Sequence, residues 1–392
     1  MKRIIPFFVY FILLCSGIVF AQTASGSGMY GSGPRDWWYT LERGKQMFRQ
    51  GDYGNALLNF EDARRQRRAM FDRMERDLID LLSITEVRRL NDSLDWVERY
   101  IEERHYSGAA DALNELYFRI PKETFGNSIT AALKELGTLG DYPEAEYWIG
   151  ETYLVEGELT LALIQFQKAL DLRQLLENPD YATELLYKIA DIRRIRQEYN
   201  EMEGVFLSIL SNDSLWSGEG SAGNTDLLPG TSLSFAKQAM IRTLENNGID
   251  RFITQYRYSN NKSADAHRIL GFYYYTSGRH SRAQEHLMFA FLIQNTVIIN
   301  EILDRSFDFS FTTLEALSAE INRNPLLLDY VEKNEYYKTA YYFASSLHGN
   351  GKTFPARGIW NFLSTQNNAG EWRTRAISQL RSSRVERIME MP

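Results

Sequence analysis

The sequence predicts an all-α chain, an α-α superhelix of stacked helical hairpins with irregular, interrupted repeats. Three observations lead there. Strand-like alternation is nearly absent from Arg35 onward. Paired glycines recur seven residues apart, as Gly44 and Gly51, Gly150 and Gly157, Gly271 and Gly278. After each second glycine, the residues at offsets of five, nine and twelve agree: Ala56, Phe60 and Ala63; Ala162, Phe166 and Ala169; Ala283, Leu287 and Ala290. Those offsets hold small and large side chains on one helical face.

Physical reasons follow for each position. The first small residue lets a neighbouring helix approach closely. The second glycine turns the chain between helices. The later alanines sit where two helices cross, and the aromatic fills the gap beside them. One such hairpin cannot bury its apolar face alone, whereas stacked copies can.

In chain order, the apolar periodicity predicts helices over 36–50, 54–70, 72–89, 93–104, 107–118, 128–138, 143–156, 159–175, 180–197 and 200–211. A Gly, Ser and Pro229-containing break from Ser211 to Ser232 reads as a long loop. Helices resume at 233–246, 263–277, 280–294, 312–323, 335–348, 353–365 and 369–382, and Asn295–Phe311 reads as helix followed by irregular loop. The expected division is a signal peptide (1–21), a flexible leader (22–34), an N-terminal helical domain (35–211), a loop (212–232) and a C-terminal helical domain (233–392).

The glycine and alanine pattern resembles the tetratricopeptide repeat family. Three copies match well, over 37–70, 143–176 and 264–297. A fourth, near 337–370, keeps Ala344, Leu347, Gly351, Ala356 and Trp360. Two weaker copies lie near 183–216 (Ala190, Tyr199, Met202, Phe206) and 90–123 (Val97, Tyr100, Tyr106, Ala109, Leu113). The resemblance implies that the first helix of each unit lines a groove. Its exposed positions would be Trp38, Leu41, Lys45 and Phe48, then Glu144, Tyr147, Glu151 and Leu154, then Glu184, Tyr187, Asp191 and Arg194. Later units would add Asp265, Arg268, Phe272 and Tyr275, then Lys338, Tyr341, Ser345 and His348. An aromatic and charged surface of this kind suits a peptide or protein segment. The paired lysines and asparagines that grip a C-terminal carboxylate elsewhere in the family are absent, since Lys45 stands alone.

The chain opens with Lys2 and Arg3, an apolar run from Ile4 to Phe20, and Val19-Phe20-Ala21 before Gln22. That is the composition of a secretory signal peptide cleaved near Ala21. Cleavage would also remove Cys15, the single cysteine. The mature chain would then be exported without a disulfide, which suits a periplasm, or a secreted setting supported by a large core. Triplets at Asn91, Asn212 and Asn261 have the form of glycosylation acceptors. No later run of 18 apolar residues predicts a second membrane span. The net charge of -7 makes nucleic acid a poor partner.

Catalytic and metal signatures are missing. The five histidines at 105, 267, 280, 286 and 348 form no HExxH, and His280 and His286 lie six apart. "GNGK" at 349–352 follows a helix and reads as an inter-helix turn, not a phosphate loop. Arg64, Arg65, Arg67 and Arg68 read as a solvated basic face, and Glu144/Glu146 as a solvated acidic pair. The expectation is a non-enzymatic scaffold without cofactor or metal, bound to another envelope protein or peptide. Self-association is a second mode. The alternative is a small-ligand-binding partner of a transporter, with a cavity walled by Phe272, Tyr273, Tyr274 and Tyr275.

Overall fold

A computed structural model describes residues 36–82, 137–211 and 232–386, with isolated positions between 95 and 112. All regular structure among the described residues is helical. Among the described residues, fourteen α-helices run in order: α1 (Asp36–Arg49), α2 (Tyr53–Leu82), α3 (Pro143–Val155), α4 (Leu159–Asp171), α5 (Asp180–Ile195), α6 (Tyr199–Ser211) and α7 (Ser232–Gln255). Then follow α8 (Asn261–Thr276), α9 (His280–Leu303), α10 (Leu314–Arg323), α11 (Pro325–Lys333), α12 (Tyr336–Gly349), α13 (Thr353–Thr365) and α14 (Glu371–Arg381). The expected signal peptide and leader, most of the expected 93–104, 107–118 and 128–138 helices, and the expected loop up to residue 231 lie outside the described residues. Of the weak copy near 90–123, Val97 and Ala109 are described, and both are fully buried.

Among the described residues, five antiparallel hairpins carry the fold: α1–α2, α3–α4, α5–α6, α8–α9 and α12–α13. The second helix of each packs on the first helix of the next, as α2 on α3, α4 on α5, α6 on α8 and α9 on α12. Helix α14 closes the series against α13, and α7 packs beside α13. The insertions between hairpins therefore leave the stack continuous. The core likewise runs on from α6 to the later helices, joining Ala190 and Phe206 to Leu287 and Trp360.

The turns of all five hairpins are alike. Gly51, Gly157, Gly278 and Gly351 sit at φ of +82°, +81°, +73° and +76°. In each the glycine N–H bonds the carbonyl three residues back and the next N–H bonds five back, as in Gly157 to Leu154 and Glu158 to Tyr153. This is the Schellman closure of a helix end. The α5–α6 turn makes the same bonds with Gln197 at φ +60°, where a side chain is strained.

Seven residues before each turn glycine lies the close contact between helices. A Cβ added to Gly44 would meet the Phe60 ring at 2.6 Å, one on Gly150 the Phe166 ring at 2.7 Å, and one on Gly271 Leu287 at 2.5 Å. The three glycines thus share one packing environment. Ala190 with Phe206 and Ala344 with Trp360 keep the same sixteen-residue spacing, and all four are fully buried.

Several helices differ from their expected limits. The 54–70 and 72–89 segments join as the single helix α2. Helix α9 runs on to Leu303 before the loop that precedes Thr313. Its composition would let it cross a bilayer, but 78% of the apolar window is buried inside the protein. Residues Pro325–Lys333 form the helix α11, which periodicity did not show because it is short. Asn324 caps it by accepting from Leu326 N–H at 3.0 Å.

Only part of the basic cluster is a solvated face: Arg65 and Arg68 are exposed, whereas Arg64 is half-buried and Arg67 buried. Arg67 is buried, lies over the rings of Trp37 and Tyr142 at 4.9 and 4.5 Å, and donates to the Leu139 carbonyl at 2.9 Å. Arg64 donates to both oxygens of buried Glu146 at 3.1 and 3.0 Å, and Lys168 reaches the same carboxylate at 2.6 Å. Glu144 is also buried and accepts from Glu177 N–H at 2.8 Å. These polar groups clamp α2, α3 and α4 together, which corrects the reading of Arg64, Arg67 and the Glu144/Glu146 pair. A lone buried ion would be costly, and the shared partners offset that cost.

In the α8–α9 hairpin, His267 Nδ1 and His286 Nδ1 lie 3.1 Å apart, with one donating and the other accepting. Burial pushes His267 down to about 3 and His286 well below 6.5, with Lys237 and Arg282 adding in the same direction.

Two predictions follow from these contacts. Gln197→Gly relieves the left-handed turn and should raise unfolding free energy by about 0.5–1 kcal/mol in urea denaturation. Gly271→Ala should lower it by about 1–3 kcal/mol through overpacking, which outweighs the ~1 kcal/mol gain in helix propensity. The third concerns pH. The unfolded chain takes up protons on both histidines below 6.5, whereas in the folded chain His267 resists until about 3 and His286 is also held well below 6.5. Stability is therefore full above 6.5 and falls with acidification, by about 2 kcal/mol at pH 5 from His267, with His286 adding in the same direction. Burial raises the Glu144 carboxyl above its usual range, which acts in the opposite sense and offsets part of the loss. Urea melts at pH 7.5 and 5.0 should show the loss, and replacing both histidines with Gln should flatten it.

Candidate functional site

The hairpin series aligns five first helices, α1, α3, α5, α8 and α12, into one row. This row carries the residues expected to bind. The turn geometry fixes it, because equal turns and equal close contacts give each first helix the same place relative to its second helix.

The predicted exposure holds for some positions and fails for others. Trp38 is 54% exposed. Phe48 and Tyr187 are half-buried, and Arg194 reaches solvent beside Asp191 at 3.4 Å. Leu41, Tyr147, Phe272, Tyr275 and Tyr341 are buried. Leu41 joins the core of the first hairpin with Phe60 and Ile149, and Tyr147 packs beside Phe166 and Tyr181. Phe272 and Tyr275 both pack on Tyr342 at 5.2 Å. The expected groove aromatics are therefore largely core. Sequence spacing assigns a face but cannot show how tightly the neighbouring hairpin closes over it.

The charged positions mostly join adjacent hairpins. Glu151 pairs with Lys188 at 2.8 Å, tying α3 to α5. Arg268 pairs with Asp265 at 2.9 Å and with Glu335 at the start of α12. Lys338 reaches the same Glu335 at 2.7 Å and lies over the Phe272 ring at 5.0 Å. Lys45 pairs with Glu42 at 2.6 Å and lies over Trp148 at 5.8 Å. Tyr147 donates to Glu184, a link from α3 to α5.

Between α5 and α8 the row opens into a cleft of about 240 Å³. Asp180, Thr183, Glu184 and Tyr187 line it from α5, with Asn261, Lys262 and Asp265 from α8. Tyr187 donates to the Lys262 carbonyl and accepts from Ala266 N–H at 3.2 Å. Burial pushes the Tyr187 phenol above its usual range, so it stays a neutral donor. Lys262 bonds Asp180 at 2.6 Å. Three carboxylates against one lysine make the cleft acidic. Tyr187 was legible in sequence. Lys262 and Asn261 were not, because they lie in the first turn of α8, just ahead of the groove positions assigned to that helix.

Among the described residues, no group of three or more His, Cys, Asp or Glu side chains could hold a metal ion. The rings proposed for an enclosed cavity are packed instead: Tyr273 stacks on Tyr199 at 5.9 Å, and Tyr274 lies beside His286 at 5.2 Å.

No family model matches the chain. It is similar to an uncharacterized protein of Treponema pallidum (strain Nichols), 24% identical over 346 residues, covering 88% of this chain and 90% of that one. It is also similar to an uncharacterized protein of Borreliella burgdorferi, 22% identical over 265 residues, covering 62% of this chain and 78% of that one.

Proposed function

We propose that the chain is a non-enzymatic scaffold of the bacterial cell envelope, built from tetratricopeptide-type hairpins, which binds another protein or peptide along its row of first helices. The observation that carries this reading is the register of the series. Five equivalent turns set five first helices side by side, giving a long surface that no single hairpin has. The acidic cleft between α5 and α8 interrupts that surface and offers carboxylates, a phenol and an amide to a polar or basic segment. The N-terminal apolar run supports export to a periplasm or beyond, and the relatives in two bacteria support a bacterial setting. A transporter-linked ligand carrier has less support, because the rings that would wall its cavity pack on one another.

Site-specific photo-crosslinking in intact cells tests the reading. A photoreactive residue at Trp38, Thr183 or Asn261 should yield an adduct with another envelope protein. The same group at Leu58 or Ile164, exposed on second helices, should not. Adducts confined to the second-helix positions, or none from the first-helix row, would contradict it.

A further inference from the structure

Helix α13 opens on an exposed knob. Phe354 is 66% exposed in its first turn, and Arg357 lies one turn on, on the same side of the helix. The Phe354 ring stands beside the kink of α7, where a Cβ on Gly248 would lie 3.8 Å from it. Arg357 donates to the Leu380 carbonyl at 3.3 Å, which brings the last turn of α14 and Arg381 to the same place. Nearby carboxylates are already engaged. Glu245 pairs with Lys352 at 3.1 Å, and Asp250 accepts from Leu314 N–H at 2.9 Å. Helices α7, α13 and α14 together carry seven lysines and arginines against three acidic residues, in a chain of net charge -7. The knob is thus an aromatic ring in a positive setting on a negative protein.

The same chain holds a matching hollow. The α5–α8 cleft, at about 240 Å³, is small for a ligand pocket but takes a ring-bearing side chain. Most of its surface is carbon, and Asp180, Glu184 and Asp265 line it. Each of the three commits one carboxylate oxygen within the chain, to Lys262, Tyr147 and Arg268 respectively. The second oxygen of each stays available to a cation.

The knob cannot reach this hollow within one molecule. Phe354 lies at the turn edge of the stack, where the first helices end. The cleft lies at the opposite edge, where α5 and α8 begin. First helices of 14 to 16 residues hold the two edges roughly 20 Å apart.

We propose that the chain self-associates head to tail, with the Phe354–Arg357 knob of one copy seated in the α5–α8 cleft of the next. The ring covers the carbon surface. Arg357, with Arg251 and Arg381 around it, meets the open carboxylate oxygens. Knob and cleft are different surfaces, so the contact is heterologous and each added copy leaves a new one of each at the ends. The inference goes beyond the partner-binding reading, since it uses one cleft and leaves the rest of the row uncovered.

Sedimentation velocity on the mature chain tests it. At about 100 µM, a concentration that populates a weak interface, the native chain should sediment above the monomer. Raising salt from about 0.05 to 0.5 M should shift it back toward the monomer. Phe354→Ser removes the knob and Thr183→Arg fills the cleft, and each variant should stay monomeric with native helicity. Mixed in equal amounts, the two should form a 1:1 dimer and stop there, because one native knob then meets one native cleft. A native chain that stays monomeric would overturn the proposal, as would a Phe354→Ser chain that associates like the native one. A mixture of the two variants that stays monomeric would overturn the head-to-tail arrangement. Photo-crosslinks from Trp38, outside the cleft, judge the partner-binding reading alone, so the two readings fail separately.

Discussion

The architecture depends on one steric constraint: a residue small enough on the first helix of each hairpin for a large side chain of the second to lie against its backbone. At Gly44, Gly150 and Gly271 there is no room for a methyl group. The two helices can approach to that distance only where the side chain is missing. The resulting contact removes the Phe60, Phe166 and Leu287 side chains fully from solvent. Each such burial contributes roughly 1.5–3 kcal/mol. The turn seven residues on completes the device, because its left-handed glycine lets the chain reverse while the last carbonyls of the first helix stay bonded.

Repetition of that device tolerates interruption. The long insertion between the first and second hairpins does not separate them, since Arg67, Arg64 and Glu146 fix α2 to α3. Between the third and fourth hairpins, α6 meets α8 directly, and the Tyr274 hydroxyl donates to Glu203 at 2.6 Å. Between the fourth and fifth, Tyr336 donates to buried Asn295 at 2.9 Å. Each of these three junctions thus pairs apolar contact with a buried or part-buried polar bond. Such bonds add specificity of register, because a slipped interface would leave those groups unpaired.

Much of this was legible in the sequence, for a physical reason. Glycines and alanines at fixed spacing record contacts within a hairpin, and those contacts are local. Ala190 with Phe206 and Ala344 with Trp360 show that even the weaker copies follow the rule. The unreadable part was non-local. Nothing in the run from Arg64 to Arg68 signals that Arg67 will lie between Trp37 and Tyr142, since its partners are distant in the chain. The same holds for Tyr147 and Tyr341, whose helical face was right but whose exposure depends on neighbours that spacing does not describe. His267 and His286 lie nineteen residues apart, too far for a single-helix pattern, yet the close α8–α9 contact at Gly271 and Leu287 brings them together.

The first-helix face inherits its form from that local contact. First helices held at matching turns give one row, in which polar groups converge at the α5–α8 cleft. A double-mutant cycle between Gly150 and Phe166 tests the underlying claim most directly. If the close approach sets the hairpin geometry, Gly150→Ala should cost about 1–3 kcal/mol in the native background and far less once Phe166→Ala has emptied the contact. Two penalties that simply add, within about 0.5 kcal/mol, would contradict the account.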